Sequence, residues 1–516
     1  MQTETMQTDL IVIGSGIGGL SCAALLAQYG FQVTVCESHS IAGGAAHGFE
    51  RNGFKFDSGP SLYSGLSSPS PNPLRQVLDA IGEEVPCLTY ETWGCRLPEG
   101  DFDTSVGADQ FCDVLQRLRG EQSVSEWRNL QQIMEPLQAA AIALPPAALR
   151  WDWQAVRTVG QFAPALVRHA PQMAKLTGAF TKIIDNKITD PFILNWLNLL
   201  CFLLSGLPAS DTSAAEVAFM FADWYRPQVA LDYPVGGSAG LVNALVRGLK
   251  RHGGTLLLNA HVEQIVVERQ RAVGVQLRNG EILRARQAVV SNVSVWDTLK
   301  LIPAEAIPDS FRRQRQATPD CDSFMHLHLG IDAAGLPDLA CHYIVVNDWS
   351  QGITAPQNVV LVSIPSILDP FLAPSGKHVI HVYTPGNEPY DLWQKLDRRS
   401  VAYAEQKQQR AEVMWQALER IVPDIRSRCE VKLVGTPLTH ERFLRRHRGS
   451  YGPAISAAKS SFPTGTTPLA GFYCCGDSTF PGIGLPAVAA SGMIVANTIA
   501  PVEKHLAMLK RIGVGG

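Results

Sequence analysis

Gly14, Gly16 and Gly19 stand in the spacing G-x-G-x-x-G, and an acid, Glu37, comes about twenty positions after Gly16. The first glycine permits a tight turn, the second lets a pyrophosphate approach the backbone, and the third lets a helix pack closely on a strand. A carboxylate at Glu37 can accept a hydrogen bond from a ribose hydroxyl. The chemistry these residues imply is the gripping of an ADP-containing dinucleotide, with Gly18 in the same turn. Their positioning needs a strand, a turn, a helix and a strand. Leu10 to Ile13 is the short apolar run of a buried parallel strand, a helix is expected from about Gly18 to Tyr29, and Val33-Thr-Val-Cys ends on Glu37. The helix would aim its free N–H groups and positive dipole end at the phosphates.

The residues after Glu37 bear on which dinucleotide is held. A simple NAD-binding fold would continue with another β–α repeat. Here Gly43-Gly44 comes first, then residues 48–57 in a hairpin pattern with Asn52-Gly53 as its turn, then Asp57-Ser58-Gly59-Pro60. Adjacent glycines let backbone lie against a larger cofactor. Near the C-terminus a strand over Phe472–Cys475 leads into Gly476-Asp477. The apolar helix Pro486–Ile499 comes after Gly482 and Gly484. Its N-terminus suits the negative charge that a reduced flavin carries near N1. Gly236–Gly240 and Gly513–Gly516 lack a strand-turn-helix context, so no second nucleotide domain is expected.

These pieces resemble the phytoene desaturase and carotenoid isomerase branch of the FAD-dependent amine-oxidase-like superfamily. The likeness rests on the fingerprint with Glu37, on Gly43-Gly44 and Asp57-x-Gly59-Pro60, on Pro234-x-Gly236-Gly237, and on Gly471-Phe-Tyr-Cys-Cys-Gly-Asp-Ser-Thr-Phe-Pro-Gly482. Thr436–Pro453 is similar to the prolycopene isomerase subgroup, whereas Gly482-Ile-Gly-Leu-Pro486 departs from the Gly-Gln-Gly type sequence usual there. The resemblance implies FAD as cofactor and an α/β fold. A three-layer, discontinuous Rossmann-type FAD-binding domain would carry an inserted α+β substrate domain with a helical, apolar part. It also implies that Val262 meets the adenine through backbone groups, and that Gly476, Asp477 and Gly484 lie along the ribityl, phosphate and ring portions.

The chain has 516 residues, too many for one ordinary core. The expected cofactor lobe comprises residues 1–105, 225–300 and 435–510, with a substrate lobe in 106–224 and 301–434. The formal net charge of −3 argues against nucleic acid as a partner. The eleven cysteines include no C-x-x-C, and no apolar leader precedes Asp9, so free thiols on the cytoplasmic side of a membrane are expected. Helices are expected at Leu130–Leu144, Phe162–Lys182 and Arg398–Ile421, and from Leu241 to Arg251. Phe192–Leu207 reads as a buried helix, or as one that lines an apolar tunnel or dips into a membrane face.

No side chain is assigned as catalytic. His326 and His328 share one strand face, but no third ligand is adjacent, so no metal site is expected. The arginines 442, 445, 446 and 448 read as a solvated face, or as a contact to flavin phosphate or a membrane headgroup. The resemblance implies an apolar polyene substrate, peripheral membrane association, and cis–trans isomerisation of a poly-cis carotene with reduced flavin. The electron partner would be a quinone or none. The rival readings are a desaturase or retinol-saturase-like reductase, a non-catalytic flavoprotein assembly factor, and an amine oxidase, against which the apolar insert counts.

Overall fold

The structure, a computed structural model, describes residues 7–67, 70–107, 109–225 and 229–515. Residues 1–6, on which the expectation of no apolar leader falls, and the terminal Gly516 lie outside the described residues. The first sheet runs in the order Thr255–Leu257, Val33–Cys36, Gln7–Ile13, Ile282–Ser291, Arg271–Leu277, Val262–Glu268. The first four strands are parallel. Leu10 to Ile13 are buried on both faces, as a central parallel strand requires. Ile282–Ser291 is one continuous strand with two kinds of neighbour. Its first half pairs antiparallel with Gly274–Gln276, while Val289–Ser291 pairs parallel with Phe472–Cys474. The C-terminal strand thus enters the cofactor sheet through that fork.

Ile17–Gln28, Gly237–Arg251 and Leu485–Ile499 share one core with Leu10 and Val12 on one face of this sheet. The first and last of these helices cross almost backbone to backbone. A Cβ at Gly492 would run into the carbonyl oxygen of Gly18, and one at Gly19 into the carbonyl oxygen of Gly14. The third fingerprint glycine therefore does the close packing its spacing predicts.

The second sheet runs Cys429–Gly435, Ser323–Asp332, Lys377–Glu388, Val359–Ser363, His342–Val346, Thr92–Leu97, Gly100–Ser105. The hairpin 92–105, expected with the first lobe, joins this second sheet because Gly94–Arg96 pairs parallel with Tyr343–Val345. Pro437–Leu444, expected in the cofactor lobe, packs on Ser323–Asp332. In the other direction, Ala147 and Ala148 of the helical insert are buried in the cofactor core, and the Arg150 guanidinium donates to the Ala500 carbonyl. Val401–Glu419 covers one face of the second sheet through Met414, Trp415 and Leu418. The other face carries the helical layer, anchored where the Phe111 ring lies 4.7 Å from both Trp127 and Trp196.

The expected long helices form as Glu121–Ile142, Ala163–Lys175, Pro191–Ser205 and Val401–Glu419. The run expected to Lys182 stops at Lys175, because Gly178 takes φ +91° before Thr181–Ile184 forms its own turn. The helix expected from Leu241 begins at Gly237, right after the strand Leu231–Pro234. That stretch therefore does have a strand-turn-helix context, but its N-terminus is already filled. Asp57 Oδ1 accepts from the Ser238 N–H at 2.8 Å and the Ser238 hydroxyl at 2.7 Å, and Oδ2 accepts from Tyr233 at 2.8 Å. Two distant motifs, Asp57-x-Gly-Pro and Pro234-x-Gly-Gly, thereby form one capped joint, and no phosphate has room there. Among the described residues no helix is long and apolar enough to cross a membrane.

Replacing Gly492 with valine should force the two crossing helices apart at a cost of about 1–3 kcal/mol. Thermal unfolding should show a lower Tm together with loss of bound flavin; an unchanged Tm would contradict the close crossing.

Candidate functional site

A cavity of about 1520 Å³ runs from Glu37 and Val262, past Gly14, Gly16, Gly18, Gly43, Gly44, Gly476, Asp477 and Gly484, to Leu200, Phe219 and Trp224 in the helical layer. That exceeds the roughly 300–1,000 Å³ of an ordinary ligand site, so it has room for a dinucleotide and a second molecule. Every residue expected at the cofactor lines it or the turn beneath it; Gly19 lies under the turn.

Two helix N-termini face this cavity without a side-chain cap. Ile17–Gln28 begins at Gly16 and Leu485–Ile499 at Gly484, neither cap residue offers a side chain, and neither first turn carries an acid. Orphan N–H groups and a positive dipole end left open to a cavity form an anion site. Gly43, at φ +119°, brings the next loop alongside, and its N–H donates to the Ser15 carbonyl at 3.0 Å. The Glu37 carboxylate is held at the far end. Oε2 accepts from the Ser15 N–H at 2.9 Å and its hydroxyl at 2.6 Å, and Oε1 accepts from the His39 N–H at 2.7 Å. Val262 opens its strand opposite Leu277 and is 5% exposed at the same end. A pyrophosphate fits the uncapped turn, a ribose fits Glu37, and an anionic ring edge fits Gly484, so these residues suit FAD.

Sequence reasoning missed Asn292. Its carboxamide occupies the space where side chains at Gly16, Gly18 or Gly476 would sit, so it ties three glycine pieces together at the cavity wall. The available signal was its place just past the C-terminal end of a parallel strand, where open α/β sheets bind ligands. Arg446 is not on a solvated face. It pairs with Asp477 at 2.5 Å and donates to the Ser450 and Tyr451 carbonyls. Arg448 pairs with Asp320 and Asp391. Arg446 thus fastens the 436–453 segment to the aspartate expected beside the flavin.

The far part of the cavity is mainly apolar. Pro191–Ser205 buries Phe192, Trp196 and Leu197 in the helical core while Leu200, Leu203 and Leu204 line the cavity, so it is both a core helix and a tunnel wall. Asn198 serves the fold: it donates to the Leu194 carbonyl and accepts from the Ala209 N–H. Glu216 also lines this part, and burial alone pushes its carboxyl up to about 7. His326 and His328 do find partners that were invisible in sequence. His381 stands on the neighbouring strand, opposite His328, and His440 comes from the 437–444 helix. His326, His328 and His381 hold nitrogens within 4.8 Å of one another. Burial holds all three below the usual histidine range, His328 at about 4.

Fold and site together define an FAD-dependent enzyme. The chain belongs to the flavin containing amine oxidoreductase family, whose pattern matches residues 17–500. It is 33% identical to prolycopene isomerase 1 of an Oncidium hybrid cultivar over 98% of this chain and 86% of that protein. It is 32% identical to the Arabidopsis thaliana prolycopene isomerase, covering 95% of this chain and 82% of that one. A 4,4'-diapophytoene desaturase of Methylomonas is 26% identical over 98% of this chain and 97% of its own. Among solved structures, putrescine oxidase bound to putrescine superposes with a TM-score of 0.63 at 17% identity, covering 96% of this chain and 99% of that one.

Glu37→Ala should remove the ribose acceptor and weaken FAD retention by about tenfold or more, the loss of one hydrogen bond to a charged group. Flavin absorbance after gel filtration measures this; full retention would remove Glu37 from the cofactor site.

Proposed function

We propose that the protein isomerises cis double bonds of a long apolar polyene of the poly-cis carotene type. The observation that carries this reading is the single cavity that joins the uncapped helix N-termini to an apolar tunnel. A polyene offers no polar handle, so its binding comes from burial, at roughly 25 cal/mol per Å² of apolar surface. Leu200, Leu203, Phe219 and Trp224 supply that surface. The prolycopene isomerases at 32–33% identity support the same substrate class. In this reading Gly14, Gly16, Gly18, Glu37, Gly43, Gly44, Val262, Gly476, Asp477 and Gly484 contact the FAD. Bound FAD supplies electron density that lowers double-bond order along the conjugated chain. The protein's own part is to hold the chain extended, exclude water, and keep the reacting segment beside the Gly484 helix N-terminus. Isomerisation changes no overall oxidation state, so no electron partner is required. Prolycopene incubated anaerobically with reduced enzyme should shift toward the all-trans form with no net flavin oxidation. A product two hydrogens lighter or heavier would replace this reading with a desaturase or saturase.

We further propose that substrate enters from a membrane. Ala141, Pro146, Leu176 and Gly178 line the cavity and flank a stretch holding Ala155–Val159 and Ala163–Lys175. There Trp153, Val156 and Val167 are 81%, 78% and 77% exposed. Arg168 and Lys175 belong to the same stretch and suit anionic headgroups. Replacing Trp153 and Val167 with glutamate should cut co-sedimentation with anionic-lipid vesicles at least tenfold, because each lost apolar insertion is worth about 1.5–3 kcal/mol. Turnover of detergent-dispersed substrate should persist. Unchanged vesicle binding would dismiss this entry face.

A further inference from the structure

FAD is an anion, yet the cavity wall that suits it is not basic. Carboxylates on that wall outnumber the lysines and arginines, which are Lys300, Arg445 and Arg446. Two of these three cations are already neutralised. Lys300 pairs with Asp297 at 2.7 Å, and Arg446 pairs with Asp477 at 2.5 Å. Arg445 makes no ion pair among the described residues, and it lines the cavity while remaining exposed.

The place of Arg445 along the cavity is fixed from both sides. Two residues before it, the Phe443 ring meets the His39 ring edge-on at 6.0 Å, and the His39 N–H donates to the Glu37 carboxylate. One residue after it, Arg446 is fastened to Asp477 and to the Ser450 and Tyr451 carbonyls. Glu37 suits the ribose of the adenosine end and Asp477 the flavin end, and the part of an extended FAD between those ends is its pyrophosphate. The backbone points the same way. Pro437–Leu444 ends on Arg445 at φ +52° and ψ +38°, the left-handed region in which helices commonly end on glycine. A β-carbon is disfavoured there. Arg448, also left-handed at φ +51°, is held by Asp320 and Asp391. No ion pair among the described residues offsets the strain at Arg445, so its guanidinium is left for a ligand.

We infer that Arg445 binds the pyrophosphate of FAD, adding a full positive charge to the partial charge of the uncapped helix start at Gly16. A planar guanidinium offers paired donors to phosphate oxygens. The helix that presents Arg445 packs on Ser323–Asp332 of the second sheet. The cofactor is therefore gripped from both sheets, and the segment 436–453 beside the apolar tunnel is tied to it. The inference rests on the placement of FAD between Glu37 and Asp477 and is independent of the polyene.

The test compares Arg445→Gly, Arg445→Gln and Arg445→Lys in the intact chain. FAD release on dilution is followed by flavin fluorescence, and unfolding is followed in the flavin-free protein. Arg445→Gly and Arg445→Gln should raise the FAD dissociation constant about 10- to 100-fold, the loss of hydrogen bonds to a charged group. Both should also flatten its rise with NaCl concentration. Arg445→Lys, which keeps the charge but not the fork, should lose less than either. Flavin-free Arg445→Gly should unfold at the wild-type Tm or above it, since glycine suits the left-handed backbone. A lower Tm would make Arg445 a structural residue and overturn the inference. Wild-type FAD affinity in Arg445→Gly, an unaltered salt dependence, or a glutamine variant that binds as tightly as the lysine one would overturn it too. If Glu37→Ala also keeps its FAD, the placement of the cofactor fails with it; if Glu37→Ala loses FAD while Arg445→Gly keeps it, Arg445 alone is excluded.

Discussion

Gly18 and Gly492 let two helices touch through their backbones, and everything else in the site depends on that contact. A helix N-terminus attracts an anion only within about a turn. Ile17–Gln28 and Leu485–Ile499 face one cavity because Gly18, in the first turn of one, packs on Gly492, midway along the other, where side chains would hold the axes farther apart. The crossing also draws in Gly476, Asp477 and Asn292, since the strand Phe472–Cys474 that feeds the second helix docks on the strand ending at Ser291. One packing constraint thus assembles an extended dinucleotide site from segments that are hundreds of residues apart.

The rest of the cavity works by contrast. Its far wall is leucine, phenylalanine and tryptophan, with little but dispersion and burial to hold a ligand. Its inner wall includes His326, from a sheet strand, and His440, from the 437–444 helix, with His381 behind them, all neutral because charging them in that setting is costly. Asp57 links the two. Its carboxylate caps the helix at Gly237, and its backbone carbonyl receives His328. The hairpin that carries Asp57 therefore fixes both the cofactor lobe and the histidine layer.

The dinucleotide lobe was largely legible from local signals. The fingerprint, Glu37, Gly43-Gly44 and Gly476-Asp477 each occupy the cavity wall, because their roles belong to backbone turns and helix starts that a few residues specify. Domain edges were less legible. The hairpin 92–105 looks like a continuation of the first lobe, yet its partner is His342–Val346, and strand pairing over that separation leaves no mark on either sequence. The basic run at 442–448 was visible, but the fact that Arg446 locks onto Asp477 was not, since a charge run looks the same whether its partner is water or a buried acid.

The sequence by itself determined that this chain holds a dinucleotide and buries a large apolar insert, because turn glycines, capping and hydrophobic patterning act over a few residues. Only the tertiary structure decided that Asn292 joins the glycine pieces, that Asp57 rather than phosphate fills the second glycine-rich helix start, and that His326 meets His381 and His440. Those contacts arise from strand register and helix docking between remote segments, and no single segment carries the information for both partners.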